Sequence, residues 1–221
     1  MCGICGFTGQ VVDRDDVIKN MTEVITHRGP DSDGFFTDDY ISMGFRRLSI
    51  IDLDAGHQPI YNEDKSLVLT FNGEIYNYRD LRAELEAQGW QFRTNSDTEV
   101  LLTGYLAWGE GVLDRLRGMF AFAIWDRDSR ELFCARDFFG IKPFYYTQQN
   151  GRFIFASEIK CILEHPDYTR ELNREALEQY LCFQFSALPE TFFKGIFKLA
   201  PAHCMTVHAD GSITERRYWR P

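Results

Sequence analysis

The sequence predicts an α+β domain, with strands in runs and helices grouped between them rather than alternating strand by strand. Three observations carry this. Nineteen Phe and ten Tyr form an aromatic load suited to sheet packing. Four short apolar segments follow one another without a helical pattern between residues 120 and 156. Asn150-Gly151 and Asp210-Gly211 are hairpin turns by composition. The chain has 221 residues, 44% hydrophobic and 26% charged, enough for a real core. No repeat, low-complexity segment or linker divides it, so residues 1–221 are expected to form one domain.

In chain order, Ile4 to Thr8 reads as a buried strand. A helix from Asp15 follows, with Val17, Ile18, Met21, Val24 and Ile25 at helical spacing and Gly29-Pro30 as its stop. Arg28 to Gly34 reads as a polar loop. Strands are expected over Ile41–Phe45 and Leu67–Phe71, the latter running into Asn72-Gly73-Glu74. A helix over Tyr78–Gln88 stops at Gly89. Ser96 and Glu99 have capping-box spacing for a helix ending near Gly109, with a short helical segment over Val112–Arg117. Strands are then expected over Phe120–Trp125, Leu132–Ala135, Phe144–Thr147 and Phe153–Ala156. Short helices are expected over Glu158–Leu163 behind Ser157 and Arg174–Cys182 behind Asn173. A hairpin of His203–Val207 and Ile213–Tyr218 closes the chain.

Charge narrows the functional classes. Net charge is −9, from 24 basic and 33 acidic residues. That disfavours nucleic acid or an anionic membrane as partner. No apolar run approaches the ~18 residues of a membrane span, and the N-terminus lacks a signal-peptide pattern. The six Cys, at 2, 5, 134, 161, 182 and 204, read as reduced thiols of a cytoplasmic protein. Cys2 and Cys5 form a Cys-x-x-Cys without a second pair, a His partner or a preceding strand. That argues against zinc and against thioredoxin-type chemistry, and leaves Cys5 as a small core residue. The five His show no metal-ligand spacing, so no metal is expected, and no Gly-x-Ser-x-Gly element suggests a serine hydrolase.

The chemistry concentrates at the start. Cys2 becomes the N-terminus once Met1 is removed, a step that a small second residue favours. Its thiol is then a nucleophile and its α-amine a base on the same residue. An unperturbed Cys titrates at about 8.5 and an α-amine at about 7.7–8.0, so a useful fraction of the amine is unprotonated near neutral pH. Attack on an amide carbonyl needs donors for the oxyanion. The Asn72 amide and the Gly73 N–H can supply them, although Asn-Gly alone is more commonly a turn. Arg47, Glu74 and Asp97 would together suit a zwitterionic amino acid: a guanidinium for its carboxylate and two carboxylates for its ammonium. Otherwise Asp97 is part of a helix cap and Glu74 a solvated side chain.

Met1-Cys2-Gly3-Ile4, the Arg28–Gly34 loop, Arg47-Leu48-Ser49-Ile50, Asn72-Gly73-Glu74-Ile75-Tyr76-Asn77 and Ser96-Asp97-Thr98-Glu99 occur in that order. This ordered set resembles the class II, N-terminal-nucleophile glutamine amidotransferase domains, over essentially the whole chain. His27-Arg28-Gly29-Pro30-Asp31, Ala135 to Pro143 and the closing Lys198 to His203 are similar to the glutaminase domain of glutamine-hydrolysing asparagine synthetases. Ala200 and Ala202 depart from the usual Pro-Pro-Gly-His there, far in sequence from the catalytic motifs.

The resemblance implies a four-layer αββα sandwich of two antiparallel sheets. It implies Cys2 as nucleophile and, through its amine, base, with Asn72 and Gly73 as the oxyanion hole. Arg47, Glu74 and Asp97 would hold the glutamine backbone groups, and the main chain at Ile50 and Ile51 would line the pocket. Arg28 would buttress the N-terminal strand. Glutamine would become glutamate through a thioester, and the ammonia would pass to an ATP-dependent synthetase domain or subunit for asparagine biosynthesis. That synthetase domain is expected after residue 221 and is absent from this chain, where no Ser-Gly-Gly-x-Asp-Ser loop occurs. ATP and Mg belong to it, and this domain needs no cofactor. A homodimer is compatible with this reading. Two alternatives stand beside it: a different amide-forming synthetase as ammonia acceptor, and a non-catalytic glutamine-binding regulatory domain.

Overall fold

Two six-stranded antiparallel sheets face each other in the computed structural model, which describes residues 1–48, 57–185 and 188–220. The first sheet contains β1 (Gly3–Thr8), β2 (Ser32–Thr37), β3 (Ile41–Arg47), β8 (Tyr145–Gln149), β9 (Arg152–Ala156) and β10 (Phe197–Lys198), in the order β10-β8-β9-β1-β3-β2. The second contains β4 (Ile60–Tyr61), β5 (Leu67–Ile75), β6 (Gly118–Asp126), β7 (Glu131–Arg136), β11 (His203–Val207) and β12 (Ile213–Arg217), in the order β12-β11-β7-β6-β5-β4. The helices are α1 (Arg14–Glu23), α2 (Tyr78–Ala87), α3 (Asp97–Trp108), α4 (Ile159–Leu163) and α5 (Arg174–Phe183).

Alternation along the strands builds the layers. Ile4, Met43, Phe45 and Phe155 of the first sheet meet Val68, Ala121, Ala123 and Met205 of the second in the middle of the sandwich. Cys5, Phe7 and Ile154 face the other way and pack on α1 and α4. Leu69, Phe71, Phe120 and Phe122 likewise pack on α2, α3 and the 3-10 turn Gly109–Asp114. The result is helix, sheet, sheet, helix, the expected αββα order.

Most elements stand within a residue or two of their expected bounds. Asn150 and Gly151 take φ of 52° and 74°, the paired positive values of a tight hairpin turn between β8 and β9. Asn173 caps α5 by accepting from the Ala176 N–H at 3.2 Å.

Other expectations need correction. The polar Arg28–Gly34 loop is shorter, because Ser32 to Thr37 pair with β3 as an edge strand, where polar side chains reach solvent. Ser96 caps the Thr98 N–H at 3.1 Å, but Glu99 does not close a capping box. Its carboxylate accepts from the Arg93 and Thr94 N–H groups instead, at 2.9 and 2.7 Å. Ser157 caps no helix, since its hydroxyl takes the Ile4 N–H at 3.0 Å. The segment expected over Val112–Arg117 is the earlier 3-10 turn Gly109–Asp114.

The most consequential correction concerns Asn72-Gly73. They form no turn. β5 pairs with β6 residue by residue to Ile75↔Gly118, with Gly73 opposite Phe120. A Cβ on Gly73 would sit 2.3 Å from the Met119 carbonyl oxygen, so the neighbouring strand requires glycine here.

Candidate active site

Strand parity gathers the site. Cys2 shares the face of Ile4, Arg47 that of Phe45, and Asn72 and Glu74 that of Val68, so three strands from two sheets aim these side chains into one pocket at the end of the sandwich. Asp97 enters from the first residue of α3, and Met1 and Lys142 complete part of the wall. The expected Cys2, Arg47, Asn72, Gly73, Glu74 and Asp97 all line this pocket. Ile50 and Ile51 lie outside the described residues.

Cys2 and Cys5 part company at once. Cys2 just before β1 and Cys5 within it, three positions apart, point to opposite faces. Cys5 is buried under α1 with its Sγ 3.3 Å from Thr22 Oγ1, while Cys2 is half-buried in the pocket. The Cys2 Sγ accepts from the Leu48 N–H at 3.5 Å. Burial pushes its thiol up, and the Leu48 N–H, the amino terminus, Arg47 and Lys142 pull the other way. The amino group itself, on Met1, is lowered by burial and then by the Arg28 and Lys142 cations, against Cys2 and Asp31. Arg28 does hold the N-terminal strand: its Nε donates to the Cys2 carbonyl at 2.9 Å and its Nη1 pairs with Glu158 at 3.1 Å.

The directions of the Asn72 and Gly73 donors follow from hydrogen-bond alternation along β5. The Phe71 N–H and C=O bind the Gln58 carboxamide, at 2.6 and 3.1 Å, and so point away from β6. The Ile75 N–H donates to Asp97 Oδ2 at 2.9 Å. Gly73, midway between them, directs its N–H to the same open edge. Beside it, Asn72 is 1% exposed and its Nδ2 has no hydrogen-bond partner among the described residues. An unmade bond on a buried amide costs about 1–3 kcal/mol. A donor held this way in the pocket that Cys2 lines fits a group that bonds only when charge develops.

Arg47 and Asp97 are each 5% exposed. Burial pushes the Asp97 carboxyl up; the Ile75 and Thr98 N–H groups counter this, and Glu74 adds to it. A carboxylate whose charge a neighbouring carboxylate disfavours is relieved by a cation between the two. Gln58 and Lys142 are not among the residues the sequence points to. Gln58 acts through main-chain geometry that no motif announces. Lys142 sits in the Ala135–Pro143 run, which carries resemblance but no chemical signal of its own. Among the described residues no group of three or more His, Cys, Asp or Glu is placed to hold a metal ion, and no helix is long and apolar enough to cross a membrane.

The family model for the glutamine amidotransferase domain matches residues 1–219. The chain is 47% identical over 225 residues to asparagine synthetase (glutamine-hydrolyzing) 1 of Bacillus subtilis (strain 168), covering 98% of this chain and 35% of that protein. It is 32% identical over 234 residues to amidase chry2 of Gibberella zeae, covering 99% of this chain and 34% of that protein. The chain thus spans about a third of the length of these curated relatives. Among solved structures, glutamine phosphoribosylpyrophosphate amidotransferase from B. subtilis, complexed with ADP and GMP, aligns with 100% of this chain and 50% of its own. The TM-score is 0.72 at 20% identity, a likeness of fold.

Proposed function

This chain belongs to the glutamine amidotransferase domain family, and on that premise we propose that it hydrolyses glutamine to glutamate and ammonia through a thioester on Cys2. The observation that carries the reading is the buried Asn72 amide, its Nδ2 without a hydrogen-bond partner among the described residues, in the pocket that the Cys2 thiol also lines. With Met1 removed, the Cys2 amine takes the thiol proton and the thiolate adds to the glutamine side-chain carbonyl. The oxyanion lies between Asn72 Nδ2 and the Gly73 N–H. The ammonium then gives its proton to the leaving nitrogen, ammonia departs, and a thioester remains. The same amine deprotonates a water that adds to the thioester, and glutamate leaves with the thiol restored. Arg47 holds the substrate carboxylate; Asp97 and Glu74 hold its ammonium. No step in this domain calls for a cofactor. The ammonia passes to an ATP-dependent synthetase partner in the cytoplasm, with aspartate as acceptor, in keeping with the identity to the asparagine synthetase.

Asn72→Ala tests the reading. Loss of an oxyanion donor lowers kcat by about 10²–10³-fold, with KM little changed. Because the Nδ2 has no partner among the described residues, thermal stability should hold or rise. An unchanged kcat, or a loss confined to KM, would place the oxyanion elsewhere.

Recognition has its own test. Asp97→Asn keeps the acceptor for the Ile75 N–H and removes the charge, so KM for glutamine should rise by about tenfold or more, the value of a charge-assisted hydrogen bond. Arg47→Lys should also weaken binding, because an ammonium cannot reproduce a two-point contact with a carboxylate. Wild-type KM in both variants would move the zwitterion site away from this pocket.

A further inference from the structure

Lys142 is 4% exposed in the pocket wall, and its main chain is fixed from several sides. Its N–H donates to Asp137 Oδ2 at 2.9 Å and its carbonyl accepts from Arg136 Nε at 2.7 Å. Pro143 follows and biases residue 142 to extended backbone. Asp137 is fully buried and its carboxylate accepts from four main-chain N–H groups, those of Phe120, Phe139, Ile141 and Lys142, at 2.9–3.1 Å. Arg136 directs its remaining nitrogens to the Leu199 and Gly140 carbonyls. The whole 136–142 turn is thus a rigid mount, and it delivers one ammonium to the site.

That ammonium forms no ion pair among the described residues. Nζ touches Met1 Sδ at 3.2 Å, a weak acceptor. A buried ammonium without a carboxylate is costly, and here it stands against the very residue whose removal creates the Cys2 amine. On the other flank, Arg28 Nε holds the Cys2 carbonyl, but Arg28 shares its charge with Glu158. Lys142 has no such partner among the described residues.

We propose that Lys142 is a positioning residue whose ammonium, with Arg28, flanks the α-amine of mature Cys2 and keeps that amine in its proton-accepting form. The inference rests on the reading of the amine as the base. A cation beside an ammonium favours loss of the ammonium proton. The groups facing the Met1 amine are Arg28 and Asp31 beyond α1, Cys2 just before β1 and Lys142 after β7; Arg47 on β3, Glu74 on β5 and Asp137 face Cys2 or Lys142. With Met1 in place, it is the Met1 amine that is lowered, by burial first and then by Arg28 and Lys142, with Cys2 and Asp31 opposing. Lys142 itself is lowered by burial and by Arg28, while Cys2, Asp137 and Glu74 support its charge.

The test compares mature enzyme, with Cys2 exposed, as wild type, Lys142→Met and Lys142→Arg. The acid limb of kcat/KM for glutamine is measured, together with the pH dependence of Cys2 alkylation by iodoacetamide. In Lys142→Met both midpoints should move up by about one pH unit, the effect of one nearby charge. That is about a tenfold loss on the acid limb, with the high-pH plateau close to wild type. Lys142→Arg should stay at the wild-type midpoint. If Lys142→Met does not fold, as judged by its melting curve, Lys142→Gln takes its place. A midpoint unmoved in the neutral variant, whatever happens to the rate, overturns the proposal. So does a shift in Lys142→Arg as large as in Lys142→Met, or a plateau lost in both. Wild type with no acid limb at all overturns the amine as base, and is recognised before any Lys142 variant is compared.

Discussion

Cys2→Ala should reduce glutamine hydrolysis to background, a loss of about 10⁴-fold or more as for other nucleophiles removed from a catalytic unit, while the melting temperature changes little. Cys2 is half-buried at the edge of the mid-sandwich core, and its Sγ hydrogen-bonds only to the Leu48 main chain among the described residues. Cys5→Ala should behave oppositely. Cys5 is fully buried between β1 and α1 and meets Thr22, so its loss should cost about 1 kcal/mol of stability and leave turnover near wild type. Ammonia release and a thermal melt of the two variants separate chemistry from packing. Equal loss of turnover in both would point to a paired-thiol mechanism, against the opposite faces on which the two residues sit.

That separation illustrates what a sequence can and cannot convey. The strand around Ile4 is legible from its apolar run, and period-2 alternation then places Cys2 and Cys5 on opposite faces. The hairpin at Asn150-Gly151 is legible because two positive φ values demand those residues. The motifs holding Cys2, Arg47, Asn72, Gly73, Glu74 and Asp97 are legible as an ordered set. Their convergence is not, since it depends on two sheets stacking so that the ends of β1, β3 and β5 meet, a product of long-range pairing. Asn72-Gly73 shows the same limit. Its local signal is a turn, and the partner strand β6 overrides it. The two-residue strands β4 and β10 exist only through their neighbours, Leu69 with Ile60 and Tyr146 with Phe197. Ser157 and Glu99 look like cap residues and instead bind main chain elsewhere. Gln58 mimics a strand for Phe71 with one carboxamide. No propensity encodes that, and the open edge of β5 depends on it.

The second large effect concerns Met1. Its peptide bond converts the Cys2 amine into an amide, which takes no proton near neutral pH. Its side chain also lines the pocket, with Sδ against Lys142 Nζ. A retained Met1 therefore removes the base and intrudes on substrate space together. General-base catalysis contributes about 10²–10⁴-fold, so turnover should fall at least that far. The mature amine should have to lose its proton before it acts, so the rate of the processed enzyme should rise with pH through the amine titration. None of the five His should reproduce the loss when replaced.

The account turns on that one nitrogen. An uncleaved N-terminal tag holds Met1 in place, and a protease site that exposes Cys2 releases it, which allows a comparison within one preparation. Steady-state ammonia release is measured before and after cleavage, with mass spectrometry confirming the terminus in each state. The account predicts a tagged form slower by at least about 10²-fold, with slowed alkylation of Cys2, and recovery of both on cleavage. Undiminished turnover with Met1 covalently attached would contradict it.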